Sequence, residues 1–363
     1  MRILHLTNHI QKIGNGIVNV AVDLACLQAK DGHNVAMASA GGQYEALLAS
    51  YGAQHFQLDQ SRTPLNLIKA AGHYREIIQE FQPDIVHAHM MTGSVLAGLF
   101  KNNFEYNLVT TVHNEFQRSA VLMGLADRVI AVSNAVADSM ERRGIPKKKL
   151  RVVPNGTLGS PRHRSIIDYQ PLPLHRPAIA TVAGMYQRKG IGELIDGFVT
   201  IAADFPDAHL YLVGDGPDRA MFEAKVQNTA FASRIHFEGF QSEPQRYMLA
   251  TDIFVLASYH ESFGLVLTEA REAGCAIIAS DVDGIPETLD NGEAGVLVPP
   301  KNSFAVATAM KKLLSNPWEM QKWKYQGKQN LERFSAARVN KETLNVYREL
   351  VPSYNLRHTS MLV

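Results

Sequence analysis

The sequence predicts an α/β protein of two doubly wound, Rossmann-like domains that face each other across a cleft. Short apolar runs with the length of buried strands alternate with longer amphipathic stretches along the chain. A strand, a glycine loop and a helix open the chain, and the same series restarts at residue 178. A length of 363 residues also exceeds one ordinary core.

The first half of the chain reads as a β-α-β series, which favours a mostly parallel sheet covered by helices. Strands are expected near 2–7, 34–39, 54–58, 84–89, 108–113, 128–133 and 149–154. Helices are expected near 17–30, 65–81, 93–100 and 135–143. Residues 157–177 are rich in proline and lack sustained periodicity, so they predict a linker between two domains.

The second half repeats this organisation. Strands are expected near 178–183, 210–213, 235–237, 253–257, 275–280 and 295–298. Helices are expected near 191–204, 219–229, 245–249, 265–273 and 304–315, the last with Ser303 as its N-cap. A final helix near 337–350 has no strand after it and is free to pack elsewhere.

The totals exclude several classes of protein. Lys and Arg number 36 against 35 acidic residues, and this balance argues against a protein that coats nucleic acid. Cys26 and Cys275 lie in apolar segments without metal-ligand spacing, which favours reduced core thiols. Without a secretion signal or an apolar run of roughly 20 residues, we expect a cytoplasmic protein, and docking at a membrane surface stays open.

Residues 259–290 hold the densest cluster of candidate site residues. Glu261 precedes a turn through Gly264, and a helix is expected from Leu265 with Glu269 in about its first turn. Backbone amides of residues 263–266 would then face outward at a helix N-terminus, where an anion is stabilised. A carboxylate beside a phosphate is unfavourable, so Glu269 is expected to accept hydrogen bonds from hydroxyl groups instead. A cap and a surface charge are the alternative roles for the two glutamates.

Two glycine loops are further candidates for phosphate contact. Arg188 and Lys189 precede a helix in the second half, and two cations at a helix N-terminus suit a diphosphate better than a solvated turn. The first loop, with Gly14 and Gly16, is explained equally well by phosphate contact and by turn geometry.

Three histidines follow or end expected strands. His113 ends a strand, where a structural role is more common than a functional one. His87 and His89 share one face of their strand. A metal pair is the weaker interpretation of these two residues, because no third ligand is evident nearby.

Several motifs together resemble the retaining glycosyltransferases of family 4, which have the GT-B fold. In the second half these are G-D-G-P at 214–217, E-S-F-G-L-V-L-T-E at 261–269, D-G-I-P-E at 283–287 and G-V-L-V-P-P at 295–300. D-I-V-H-A-H, T-V-H-N, A-V-S and V-V-P-N-G occur in the first half in the family's order. The resemblance covers nearly the whole chain.

The resemblance implies a role for each candidate. Glu269 would hold the donor ribose, Glu261 the donor sugar, and His113 would lie near the reacting sugar. Lys189 and Arg188 would neutralise the leaving diphosphate. The remaining donor-binding residues would be Gly14, Gly16, Gly214, Ser262, Phe263, Gly264, Leu265 and Val266. It also implies an N-terminal acceptor-side domain of 1–165 plus about 336–363 and a nucleotide-sugar-binding domain of 166–335.

The implied activity is transfer of a hexose or N-acetylhexosamine from a nucleotide diphosphate sugar to a sugar or lipid-linked acceptor. Retention of anomeric configuration, no cofactor and no metal are expected. Two departures from the family pattern stand out: Met185 replaces the usual loop arginine, and Asp283 replaces the first of two glycines. The alternatives are a nucleotide-sugar-binding protein without transferase activity and a nucleotide-sugar epimerase. A nicotinamide dehydrogenase is disfavoured, because the first loop lacks G-x-G-x-x-G.

Overall fold

The computed structural model describes residues 1–114 and 116–351, which form two compact units. The first unit comprises Met1–His163 together with the chain from Phe334 onward, and the second comprises Arg164–Arg333. Each unit is built on a parallel sheet of its own. Among the described residues no helix is long and apolar enough to cross a membrane.

The strands and helices follow one another in the expected alternation. The strands are β1 Arg2–Leu6, β2 Asn34–Ser39, β3 Gln54–Gln57, β4 Ile85–Ala88, β5 Asn107–Val112, β6 Arg128–Ala131, β7 Leu150–Val152, β8 Ala178–Val182, β9 His209–Val213, β10 Ile235–Gly239, β11 Ile253–Leu256, β12 Ala276–Ser280 and β13 Val296–Val298. The helices are α1 Gly16–Lys30, α2 Glu45–Ser50, α3 Pro64–Phe81, α4 Met91–Phe100, α5 Asn134–Arg142, α6 Ile191–Ile201, α7 Arg219–Gln227, α8 Gln245–Ala250, α9 Leu265–Ala273, α10 Ile285–Thr288, α11 Ser303–Ser315, α12 Pro317–Gly327 and α13 Ala336–Arg348.

The first unit has a seven-stranded sheet in the order β3-β2-β1-β4-β5-β6-β7. Its central strands β1, β4, β5 and β6 are largely buried, and β4 and β5 have no exposed residue, whereas the edge strand β3 has no buried residue. The order reverses between β1 and β4, which is the point where doubly wound sheets bind ligands at the carboxyl ends of their strands. The loops after β1, β4 and β5 therefore lie at the carboxyl edge of this sheet, where a ligand is expected to bind.

The last helix, α13, completes the first unit by packing on α1. Asn340 of α13 donates a hydrogen bond to Asp31 at the end of α1, at 2.7 Å. Tyr347 of α13 lies with its hydroxyl oxygen 2.6 Å from Nδ1 of His87 in β4. Helix α13, which no strand follows, is thus held on the first unit in part by hydrogen bonds of Asn340 and Tyr347. The apolar pattern of the helix does not predict these polar contacts.

The second unit has a six-stranded sheet in the order β10-β9-β8-β11-β12-β13. Its reversal point lies between β8 and β11, so the loops after these two strands lie beside each other. An apolar core forms around α6, whose residues Leu194, Ile195 and Phe198 are buried against the sheet and α11.

Three helices, α2, α10 and α12, escape prediction, and one cap is wrong. Helix α10 has only four residues, too few to show a helical period. The six-residue helix α2 buries only Leu48, and α12 buries only Gly327 while Trp318 is exposed, so neither shows a helical apolar stripe. Ser303 is the first residue of α11, and the N-cap is Asn302, whose side chain accepts a hydrogen bond from the amide of Ala305 at 2.9 Å.

A fully buried arginine fixes α9 within the second unit. The guanidinium of Arg271 donates to the carbonyl oxygens of Gly327 and Gln329, both at 2.7 Å, and to that of Thr288. It also donates to the Asp290 carboxylate at 3.0 Å. One side chain thereby ties α9 to the segments that follow α10 and α12.

Replacing this arginine should destabilise the second unit. We expect Arg271→Met to lower the free energy of unfolding by about 3–5 kcal/mol, because it leaves three buried carbonyl oxygens without their donor and removes the buried one of the two guanidinium groups that pair with Asp290. Arg333→Met is the matched control, since Arg333 also pairs with Asp290 but its side chain is 42% exposed; its expected cost is below about 1 kcal/mol. Urea unfolding can be followed by fluorescence of the two tryptophans, which both lie in α12. Equal costs for the two variants would contradict this account of Arg271.

Candidate functional site

The loops at the carboxyl edge of the second sheet contact one another through backbone atoms. A Cβ atom on Gly190 would lie 1.9 Å from the carbonyl oxygen of Ala257, and one on Gly214 would lie 2.0 Å from that of Ala183. A Cβ atom on Gly284 would lie 2.1 Å from the carbonyl oxygen of Ser262. Glycine is therefore required at these positions for space, and the loops after β8, β9, β11 and β12 form one continuous surface.

An ion pair joins two of the predicted site residues on this surface. Nζ of Lys189, on the loop after β8, donates to Oε2 of Glu261, on the loop after β11. Both side chains are largely shielded, with 17% of each exposed. The amide of Tyr259 also donates to the carbonyl oxygen of Arg188 at 2.8 Å, so the two loops are held together by both backbone and charge.

Asp283 positions the backbone of Glu261. Its carboxylate accepts a hydrogen bond from the Glu261 amide at 3.0 Å and lies 3.3 Å from Nδ1 of His260. The amide of Gly284 donates to the Glu261 carbonyl oxygen at 3.0 Å. Asp283 adopts a φ of 45°, a conformation that favours glycine but that aspartate tolerates. The aspartate thus adds a hydrogen bond that glycine at this position cannot make.

Helix α9 begins where the sequence predicts. Gly264 has a φ of 86° and precedes Leu265, so the amides of Leu265 and Val266 lie at the helix N-terminus. Glu269 is the fifth helical residue, just past the first turn, as the predicted helix start at Leu265 implies. Its distance along the axis from Leu265 is about 6 Å, which separates the carboxylate from an anion at the helix start.

Met185 cannot present a charge at the position where the family has arginine. Its side chain is fully buried in the core of the second unit, among the residues that pack around α6. Arg188 lies three residues further along the same loop, with its guanidinium carbon 5.3 Å from the centre of the Tyr186 ring. A cation at this loop is therefore supplied from Arg188 and Lys189.

The first unit brings four histidines together at the carboxyl edge of its sheet. His5 lies opposite His87 in the parallel pair β1 and β4. His89 follows β4, and His113 follows β5 with its Nε2 3.1 Å from Nδ1 of His89. Sequence reasoning missed His5. The signal that could have found it is a polar residue within an otherwise apolar first strand.

The buried histidines are held in a hydrogen-bonded network. Nitrogen atoms of His5, His87 and His89 lie within 4.8 Å of one another, so the expectation that no third ligand lies near His87 and His89 is wrong. Each ring nitrogen of these three residues, however, already has a protein partner. His87, for example, lies 2.6 Å from the Tyr347 hydroxyl through Nδ1 and 2.7 Å from the Thr111 hydroxyl through Nε2. The cluster is thus a hydrogen-bonded network, and the expected absence of a metal remains a prediction.

Burial keeps this network neutral. Desolvation lowers the pKa of His5 to about 4 and the pKa of His113 to about 3. The pKa values of His87 and His89 are lowered well below the ordinary range by the same cause, and neighbouring histidines add to the effect.

The glycine loop after β1 leads directly into α1. Gly14 has a φ of 70°, and Asn15 caps the helix by accepting a hydrogen bond from the amide of Ile17 at 3.0 Å. Gly16 is the first residue of α1. Turn geometry and a helix N-terminus are both present at this loop, so its contact with phosphate remains a prediction.

Comparison with protein families identifies the chain. The model described as "Glycosyl transferases group 1" matches residues 165–330, and the model described as "Glycosyltransferase Family 4" matches residues 14–157. The chain belongs to glycosyltransferase family 4. The predicted family and fold are thereby confirmed, and this family 4 glycosyltransferase is an enzyme with two Rossmann-like units of the GT-B type.

Known relatives agree with this assignment. The chain is 29% identical to alpha-maltose-1-phosphate synthase of Mycolicibacterium smegmatis. The match covers 62% of this chain and 64% of that relative, so it spans slightly less than two thirds of the relative's length. It is 22% identical to the lipopolysaccharide core biosynthesis glycosyltransferase LpsE of Rhizobium meliloti, over 72% of this chain and 73% of that one. The crystal structure of Anabaena HepE in complex with UDP and glucose has a TM-score of 0.81 at 19% identity and covers 95% of this chain and 99% of that one.

The buried histidines of this glycosyltransferase should make the first unit sensitive to acid. As pH falls below about 6.5 the unfolded chain takes up protons on these residues, whereas the native state holds His5 and His113 neutral until pH reaches their pKa values of about 4 and about 3. The free energy of unfolding should therefore fall between pH 7 and pH 5, by about 2 kcal/mol for each such histidine.

The variant His113→Gln should remove one such contribution, and His73→Gln, on an exposed position of α3, is the matched control. Urea unfolding read by pulsed hydrogen exchange of β1 and β4 peptides measures the effect in the first unit. An unchanged pH dependence in His113→Gln would refute the assignment.

Proposed function

We propose that this enzyme transfers a hexose or N-acetylhexosamine from a nucleotide diphosphate sugar to a hydroxyl acceptor, with retention of anomeric configuration. The observation that carries this proposal is the pairing of Lys189 with Glu261 on a surface that also holds the N-terminus of α9 and Glu269. A cation, a helix N-terminus and two carboxylates suit a ligand that combines phosphates with hydroxyl groups.

The parts of the donor are assigned by charge. The diphosphate takes the amides of Leu265 and Val266 together with Lys189 and Arg188, because these groups supply positive charge or hydrogen-bond donors. Glu269 takes the ribose hydroxyls, since it lies further along α9 and a carboxylate accepts hydrogen bonds from hydroxyl groups. Glu261 takes the sugar, and its carboxylate is already oriented by Lys189.

The chemistry then rests on the leaving group. The bond between the anomeric carbon and the diphosphate oxygen breaks, and the acceptor oxygen forms a bond to that carbon on the same face. The departing diphosphate takes the proton of the acceptor hydroxyl. Lys189 and the helix amides stabilise the charge that develops on the leaving phosphate oxygen, which is the step where preorganised donors are most effective.

We further propose that the acceptor is a sugar or a lipid-linked sugar used in polysaccharide, lipopolysaccharide or glycolipid synthesis. The relative from Rhizobium meliloti, named for lipopolysaccharide core biosynthesis, supports this direction. An acceptor of this kind would place the enzyme in the cytoplasm, at the inner face of a membrane when the acceptor carries a lipid.

The experiment that tests the function is a donor panel. The enzyme is incubated with UDP-glucose, UDP-galactose, UDP-N-acetylglucosamine, GDP-mannose and dTDP-glucose, with and without simple sugar acceptors. We expect one donor to be hydrolysed slowly alone and faster with an acceptor, giving an α-linked product from an α-linked donor by NMR. Binding without nucleotide release would indicate a binding protein, and a changed sugar without an acceptor would indicate an epimerase. Either result would reject the proposal.

The lysine of the ion pair provides the sharpest single substitution. We expect Lys189→Ala to lower kcat about 100- to 1000-fold, because one preorganised donor to the leaving group is lost. Lys225→Ala is the matched control, since Lys225 also forms an ion pair in the same unit, with Asp196, but lies on α7. Initial rates with the donor identified in the panel measure the effect. Near-normal turnover in Lys189→Ala would exclude this lysine from the reaction.

The proposed site predicts activity without a divalent metal, because cationic side chains and a helix N-terminus neutralise the diphosphate. Turnover after dialysis against EDTA should equal turnover before it. Loss of activity that magnesium restores would show that a metal ion carries the charge instead.

A further inference from the structure

A line of hydrogen bonds runs through the first unit from α1 to His113. Oε1 of Gln28 lies 2.9 Å from Nε2 of His5, and Nδ1 of His5 lies 3.0 Å from Nε2 of His89. Nδ1 of His89 lies 3.1 Å from Nε2 of His113. Gln28, His5 and His89 are buried, so this line is a continuous path of polar atoms through the unit.

The far end of the line is an atom without a partner. Among the described residues Nδ1 of His113 makes no hydrogen bond and is screened from bulk water, although the residue as a whole is half-buried. A buried polar atom that makes no hydrogen bond is unfavourable in the absence of a ligand. It is therefore an indication that a bound molecule completes the line.

The polarity of the line follows from the neutrality of its rings. A neutral imidazole carries one N–H donor and one acceptor nitrogen, so each bond must run in the same direction as the one before it. The amide oxygen of Gln28 can only accept, so the proton of His5 lies on Nε2. Nδ1 of His5 then accepts from Nε2 of His89, and Nδ1 of His89 accepts from Nε2 of His113.

Two titratable residues of the described part of the chain that pack beside the line, His87 and Tyr347, are uncharged as well. The ring of His87 lies with its centre 4.1 Å from that of His89 and 5.4 Å from that of His5. The ring of Tyr347 lies against His87, and burial raises the pKa of Tyr347, which keeps its hydroxyl protonated. Neither group supplies a charge that would add a second proton to the line.

We propose that Gln28, His5 and His89 are positioning residues that hold His113 as its Nε2–H tautomer, with the Nδ1 lone pair directed at a hydroxyl group of the bound ligand. A group placed against this lone pair must donate a hydrogen, so a sugar or acceptor hydroxyl fits and a carboxylate does not. The inference rests on the proposed function in one respect, that the bound ligand carries hydroxyl groups, as a nucleotide sugar and its acceptor do.

The test is a direct reading of histidine tautomers. Two-bond 1H–15N NMR of the full chain, labelled selectively at histidine, distinguishes a protonated from an unprotonated ring nitrogen, and His→Gln variants assign the signals. In the unsubstituted enzyme we expect a proton on Nε2 and none on Nδ1 in His5, His89 and His113. A proton on Nδ1 of His113, or a mixture of tautomers, would overturn the proposal. The tautomers are read in the unsubstituted enzyme, and the variants serve only to assign the signals.

The variant Gln28→Met tests whether the effect travels along the line. Methionine matches glutamine in length but offers no amide oxygen, so the second tautomer of His113 should appear. The value of kcat/KM for the donor found in the panel should fall roughly fivefold, the factor that one neutral hydrogen bond supplies.

Cys26→Ala is the matched control, because Cys26 is equally buried on α1 and lies outside the line. It should leave the tautomer of His113 unchanged, whereas an equal shift in both variants would show a packing effect and overturn the proposal. If the tautomers are as expected but no nucleotide sugar reacts, the proposed function is rejected and the proposed role of the line is kept. If sugar transfer occurs but His113 shows mixed tautomers, only the proposed role of the line is rejected.

Discussion

The second unit depends on contacts between backbone and backbone at the carboxyl edge of its sheet. Gly190, Gly214 and Gly284 each lie so close to a neighbouring carbonyl oxygen that a Cβ atom would overlap it. Four loops can therefore form one surface, and the side chains they carry are brought within bonding distance. The pairing of Lys189 with Glu261 follows from this constraint, since the two residues are 72 positions apart in sequence.

Buried charge then fixes the helix that carries the other site residues. Arg271 lies two residues after Glu269 on α9 and faces the interior, where it donates to three carbonyl oxygens and to Asp290. A helix anchored in this way holds its N-terminus at a defined place, which is what an anion site requires. Asp283 does the same for the preceding loop by accepting a hydrogen bond from the amide of Glu261.

Much of this architecture is predictable from the sequence, and the exceptions have identifiable causes. Helix α9 is bounded by Gly264 and Gly274, both in left-handed conformations, so both its start and its end can be predicted from glycine alone. Helix α12 could not be found, because it buries only Gly327 and has no apolar stripe. The ion pair between Lys189 and Glu261 also could not be found, because a contact between distant loops leaves no periodic signal. Asp283 stands out in the sequence as a departure from the family pattern, but its role is visible only in its hydrogen bond with the Glu261 amide.

The two units use different electrostatics to prepare a polar surface. The second unit presents charges, and it restrains them by pairing Lys189 with Glu261 and by keeping Glu269 away from the helix start. The first unit presents neutral imidazoles, because desolvation lowers the pKa of each buried histidine far enough that none is protonated near pH 7. A neutral imidazole has one donor nitrogen and one acceptor nitrogen, so its tautomer and orientation decide which nitrogen can accept a hydrogen bond. In an imidazolium cation both nitrogens are donors. Burial of the histidines thus lowers the free energy of unfolding in acid, and it gives the Nδ1 lone pair of His113 a fixed direction.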